Sequence, residues 1–212
     1  MHITWLGHSC FKIQTKDTTI ITDPYDSQTG LRPPKTTAEI VTVSHDHSDH
    51  NNIKTIKGDP FIINTPGEYE IKGIFIFGIP CFHDKNQGQD RGHNIIYRLE
   101  MEGVSIAHLG DLGHSLTNEQ LELLKGTDIL MIPVGGTYTL NAKEASEVIS
   151  QVEPRIVLPM HYKIPGLKIN INTIDKFCSE MGIKQKEKIN KLKISQKDMP
   201  QEEMNVIILE KA

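Results

Sequence analysis

Residues 39–50, EIVTVSHDHSDH, carry an apolar stretch straight into three histidines and two aspartates. The apolar part reads as a buried strand and the polar part as the turn that follows it. The density of the polar part constrains the fold. Partly charged imidazoles repel one another, and burying a charge is costly without a partner. A chain containing this run must bring compensating groups to that strand end or leave the cluster in water, and the spacing H-x-H-x-D-H points to the former.

Residues alternate sides along a strand, so His45 and His47 can point the same way and reach one divalent cation. Asp49 and His50 follow where the chain turns, and can reach a second cation beside the first. Imidazole suits zinc, manganese, iron or cobalt, and a carboxylate adds a hard oxygen and neutralising charge. Asp46 alternates away from the two histidines and is expected to stay outside. Three further candidates sit just past apolar runs: His83 after IFIFGIPCF, Asp111 at the end of VSIAHLGD, and His161 at the end of RIVLPMH.

The chain between these points reads as strand-rich early and more helical late. Strands are expected at 2–6, 10–15, 18–23, 39–45, 61–64, 68–71, 74–79, 94–100, 104–110, 128–134 and 155–161, with KLKIS and NVIILE closing the chain. A helix over about 117–125 is marked by the capping box of Thr117 and Gln120 and stopped by Gly126. A second covers 142–152, capped by Asn141, with Ala145, Val148, Ile149 and Val152 on one face. A third covers 173–181. The pattern fits an α+β sandwich in one domain over 1–212, made of two β-rich halves that each carry helices.

Composition narrows the function. The chain has 212 residues and a net charge of −4, with scattered Lys and Arg, so a nucleic-acid partner is not expected. Apolar runs such as DILMIPV are too short to span a bilayer, and no membrane association is expected. The start, MHITWLGHSCFKI, has no basic region followed by an apolar run and a cleavage site, and reads as a cytoplasmic N-terminus. Cys10, Cys81 and Cys178 form no CxxC pair and read as buried free thiols.

The motifs WLGHSCFKI, TDPY, SHDHSDHNN, HLGDLGH, IPVGGTYTL and LPMHYK occur in that order. In this the chain resembles hydrolases of the metallo-β-lactamase superfamily, and most nearly the ascorbate-6-phosphate lactonase-like subgroup. The resemblance covers nearly the whole chain. It implies a four-layer αββα sandwich of two pseudo-symmetric halves, with metals at one edge. It further implies that His45, His47 and His83 bind one metal, that Asp49, His50 and His161 bind a second, and that Asp111 bridges them. His93 is the alternative to His83. The implied cofactors are two divalent ions, zinc first, with manganese or iron also compatible. The implied reaction is hydrolysis of a small-molecule ester, lactone, amide or phosphodiester by a hydroxide shared between the metals. Asp49 could also orient that nucleophile and pass a proton to the leaving group. A nuclease of the same fold and a non-catalytic metal-binding member are the alternatives.

Other residues carry open readings. His8, in a turn, could hydrogen-bond locally or touch the site or substrate. Asp23 could accept a ligand histidine's N–H and fix its tautomer, or form a turn before Pro24. His114 could donate a proton in the cleft or cap the following helix. Arg91 and Asn94 are read in a polar loop after His83, where Arg91 could bind a phosphate or carboxylate of the substrate or lie solvated. Gly135 and Gly136 suit a tight turn whose N–H groups could hold an anion. Trp5, Tyr138 and Tyr162 read as core or wall residues.

Overall fold

A computed structural model of the chain describes residues 1–185 and 187–212. Strands β1 (His2–Gly7), β2 (Cys10–Gln14), β3 (Thr19–Thr22), β4 (Ile40–Thr42) and β5 (Phe61–Ile63) lie side by side in one sheet. Leu192–Lys193 extends its edge beside β1. The β1–β2 and β2–β3 junctions are antiparallel, and β3–β4 and β4–β5 are parallel.

The second sheet comprises β6 (Gly67–Ile71), β7 (Ile74–Phe82), β8 (His93–Met101), β9 (Val104–His108), β10 (Ile129–Pro133) and β11 (Ile156–Met160), with Asn205–Val206 beside β11. From β7 to β11 the junctions run antiparallel, antiparallel, parallel, parallel. This repeats the order from β1 to β5, and it is the internal pseudo-symmetry of an α+β sandwich.

The parallel junctions of the second sheet are crossed by helices α1 (Asn118–Leu124) and α2 (Ala142–Val152), and α3 (Ile174–Glu180) follows β11. Thr117 and Gln120 cap α1 reciprocally, and Asn141 and Glu144 do the same for α2. Each such box satisfies backbone N–H groups that the first helical turn leaves without partners. Among the described residues the first half carries no α-helix. Its loops contain the 3₁₀ turns Ser27–Thr29 and Ile53–Thr55 and a small parallel pair, Thr36–Thr37 with Ile56–Lys57.

Alternation along the strands sorts side chains between two cores. Ile20, Ile40 and Ile63 face the second sheet in the main core, with Ile76, Ile96 and Ile106. Their neighbours Ile21 and Val41 face the other way, under Tyr25, Leu31 and Ile56 from the loops. These loops cover the face that helices cover in the other half. Each fully buried Ile contributes roughly 1.5–3 kcal/mol. A one-residue slip of β3 or β4 would exchange the two sets and is opposed by all of them together.

Several elements differ from expectation. The strand read over 39–45 ends at Thr42, because Asp23 takes both Ser44 donors: the backbone N–H at 2.8 Å and Oγ at 2.6 Å. The strand read from residue 94 begins at His93 and runs to Met101. NVIILE divides into two short strands, Asn205–Val206 and Ile208–Leu209, the second paired with Lys188–Ile189 rather than with the main sheet.

Candidate metal centre

One rule places most of the site. His8 follows β1 directly, Asp23 follows β3, His83 follows β7 and His161 follows β11. His45 and Asp111 come three residues after β4 and β9. All therefore emerge from the C-terminal ends of strands, at one rim of the sandwich.

Cross-ties between the sheets hold this rim in register. Ile95 N–H donates to Ser44 O at 2.9 Å, and His161 N–H donates to His8 O at 3.1 Å. The Tyr97 hydroxyl lies 2.9 Å from both Val43 O and Ile63 O. His8, Asp23 and His161 all have positive φ, at 54°, 39° and 52°. Such backbone costs of order 1–3 kcal/mol each and persists only where its surroundings over-determine it.

Glycines let the loops pass. A Cβ on Gly110 would lie 2.4 Å from Asn94 Oδ1 and 2.6 Å from Ser44 Cβ. A Cβ on Gly135 would lie 2.1 Å from His161 O. Gly135 is thus a close-approach residue beside the site, and Gly136 next to it takes a positive φ of 63°.

The side chains form two groups, linked by a third made of His45, His50 and Asp111. Ligand-type atoms of His45, His47 and His83 lie within 4.8 Å of one another, as do those of His8, Asp49, His50 and His161. Asp111 stands between them. Its Oδ2 is 3.3 Å from His83 Nε2, 3.3 Å from His50 Nε2 and 3.1 Å from His161 Nε2. His45 and His47 meet edge-on, with ring centroids 4.6 Å apart. They meet through the bend after β4, not through strand alternation, since the strand has already ended. His47 is exposed, whereas His45, His50, His83, Asp111 and His161 are buried.

Hydrogen bonds orient the rings. His50 Nδ1 donates to Asp23 Oδ2 at 2.9 Å, which leaves Nε2 facing the cluster. Ser44 Oγ, itself bound to Asp23, lies 2.9 Å from His45 Nδ1. Asn94, fully buried at the start of β8 rather than in a loop, accepts the Asp111 N–H at 2.9 Å and so fixes that turn. His8 Nε2 is 3.2 Å from Asp49 Oδ2 and 3.2 Å from His50 Nε2. Its place inside the second group follows from the cross-tie to His161, which no local pattern in the sequence contains.

Electrostatics follow from this geometry. Burial alone would raise the Asp111 pKa, but His161 and His50 outweigh it and hold the carboxyl well below its usual range. Asp49 is lowered in the same way, burial being outweighed by His8 and His50. Burial depresses His45 and His47 and takes His8 down to about 4. His50 moves the other way: burial is outweighed by Asp111 and Asp23, and its pKa rises.

Two expected residues stand apart. His93 is exposed in β8, pairs with Phe82 and joins neither group, so His83 is the histidine placed beside His45. His114 is not brought into the cluster. Its Nε2 accepts Phe82 N–H at 3.1 Å and its Nδ1 donates to Ser115 O at 2.7 Å. With both nitrogens held by backbone, the ring is not free to pass a proton in the cleft. Nor does it cap α1, since Thr117 does. Asp46 is exposed and held by Asn51. Tyr138 lines the cleft, whereas Trp5 and Tyr162 are buried and pack together at 5.0 Å.

The donor set fits divalent cations. In a tetrahedral site with bonds of about 2.0–2.1 Å, neighbouring ligand atoms stand about 3.3 Å apart. The Asp111 contacts to His50, His83 and His161 are 3.1–3.3 Å. His45 Nε2 and Asp111 Oδ1 are buried and have no hydrogen-bond partner among the described residues.

Comparison with known proteins agrees. Residues 2–161 match the family model described as a β-lactamase superfamily domain. A structure from Thermotoga maritima, assigned as a Zn-dependent hydrolase of the metallo-β-lactamase superfamily, is 38% identical with a TM-score of 0.81, covering 98% of this chain and 97% of that one. A metal-dependent hydrolase of Staphylothermus marinus is 30% identical over 76% of this chain and 82% of its own length. One from Methanopyrus kandleri is 25% identical over 86% and 94%. With the sandwich, the clustered histidines and these relatives, the chain belongs to the metallo-β-lactamase superfamily and is a metal-dependent hydrolase.

Proposed function

We propose that the chain holds two divalent cations, zinc foremost, and hydrolyses a small-molecule ester, lactone or phosphodiester. In this reading His45, His47 and His83 hold one ion, Asp49, His50 and His161 hold the other, and Asp111 bridges them. The observation that carries it is the placing of one oxygen, Asp111 Oδ2, against histidines of both groups. Cations bound there supply Lewis-acid polarisation of a substrate oxygen and a water acidic enough to attack at neutral pH.

The residues of the chain do the rest. Asp23 and Ser44 hold the His50 and His45 rings in their tautomers. The Asp49 carboxylate is more exposed than its partners and lines the cleft; in this reading it orients the attacking water and takes its proton. That proton goes to the alkoxide or phenoxide oxygen as its acyl or phosphoryl bond breaks; in an ester or phosphodiester that oxygen departs, and in a lactone it stays on the opened product.

The test is metal analysis of protein purified without chelator, joined to an ester, lactone and phosphodiester panel on wild type and Asp49→Ala. About two metals per chain and a loss of at least about 100-fold in the variant are expected. Fewer than about one metal per chain removes the dinuclear reading, and equal activity in the variant removes Asp49 from the reaction. Metal without turnover would favour a binding role.

A further inference from the structure

A cleft of about 620 Å³ opens over His47, Asp49 and Asp111, and two cations, Arg91 and Lys168, stand on its wall. Both are exposed, and neither has a carboxylate partner among the described residues. From this we propose that Arg91 and Lys168 form an anion subsite: the substrate carries a carboxylate or phosphate group, separate from the bond that is cut, and these two side chains hold it. The proposal rests on the hydrolase reading above and adds the class of substrate.

The two side chains are placed by built features. Asp84 directly follows His83 and is almost fully buried. Its carboxylate accepts four backbone N–H groups, from Asn86 at 2.7 Å, Gly88 at 2.9 Å, Asp90 at 3.1 Å and Arg91 at 2.8 Å. One buried acid thus folds the whole 84–91 loop and sets Arg91 relative to His83. The Arg91 guanidinium lies over the Tyr138 ring, with Cζ 5.5 Å from its centroid. Stacking of this kind holds the plane while leaving N–H donors free for an anion.

Lys168 arrives from the segment after β11. Its backbone N–H donates to Thr29 O at 2.7 Å. Its Cγ passes 2.8 Å from where a Cβ on Gly30 would lie. The stem is therefore seated across a glycine of the first half, and the side chain lines the same cleft as Arg91. A long flexible lysine on an open surface would have no such seat. Two unpaired cations on the wall of a cleft whose floor holds metal ligands attract a substrate with its own negative charge.

The test compares mono-4-nitrophenyl succinate, which carries a carboxylate, with neutral 4-nitrophenyl acetate, on metal-loaded wild type, Arg91→Met and Lys168→Met. The expected result is a fall of about 10- to 100-fold in the ratio of kcat/KM, charged over neutral, in each variant. Binding of glutarate and of 3-phosphonopropionate, followed by calorimetry on the same samples, is expected to weaken in parallel. The tighter of the two identifies carboxylate or phosphate as the preferred group. Unchanged ratios with unchanged binding overturn the subsite, as does failure of the wild type to bind either compound. If wild type cleaves neither ester but both variants lose binding, the subsite stands and the hydrolase reading falls.

Discussion

The Asp23 carboxylate accepts the Nδ1–H of His50 at 2.9 Å, with both side chains fully buried. The same carboxylate accepts the Ser44 hydroxyl that meets His45. One acid, outside both ligand groups, therefore sets ring orientation in both. Asp23→Asn is expected to weaken zinc binding about 10- to 100-fold, and Ser44→Ala less, with the loss confined to the His45 group. A competition titration against a chromophoric zinc chelator measures both; wild-type affinity in Asp23→Asn would reduce Asp23 to a structural role.

His47 and His161 belong to different groups. Each alanine variant is expected to drop the metal content from about two per chain to about one. Elemental analysis of both proteins, with the double variant as a third point, decides this. Loss of both ions in either single variant would mean that the sites fill only together.

Gly110 has a φ of 55° and no room for a side chain beside Asn94 and Ser44. Gly126 has a φ of 77° and open space around it. Gly126→Ala should therefore cost about 1–2 kcal/mol, from backbone alone. Gly110→Ala should cost more, about 3 kcal/mol or above, because the clash adds to the strain. Urea unfolding of the two variants gives the difference, and equal costs would show that the Gly110 turn relaxes freely.

Tyr97 spans the sheets, its hydroxyl reaching Val43 O and Ile63 O just before the histidine bend. Tyr97→Phe leaves those carbonyls without that donor and should destabilise the fold by about 1–3 kcal/mol. Chemical denaturation measures it. A neutral result would mean that both carbonyls are fully served by the strand ladder.

Burial pushes the Cys10 thiol well above its ordinary pKa and takes Cys81 up to about 12. Both are then protonated at pH 8, and the thiolate is the reactive form. Iodoacetamide at that pH should leave both unmodified in the folded protein and alkylate both in guanidinium, as read by peptide mass spectrometry. Rapid labelling of either in the folded chain would contradict its burial.

Much of this was legible in the residues. The run from His45 to His50 announces a metal centre by density and spacing, because so many imidazoles need something to compensate them. The strand-end positions of His83, Asp111 and His161 follow from local patterns, and so do the capping boxes at Thr117 and Asn141. What the sequence could not display was how these ends meet. His8 joins Asp49 and His50 only because its carbonyl receives the N–H of His161, across 153 positions of chain. His114 sits three residues after Asp111 yet is withdrawn, because the backbone of Phe82 and Ser115 claims both nitrogens. Lys168 has no sequence signal at all and becomes notable only where the fold sets it on the wall that Arg91 shares. Local sequence determines which groups each strand end offers, since spacing and burial act over a few residues. Only the packing of two sheets decides which offered groups come within bonding distance, since those distances depend on contacts between residues far apart in the chain.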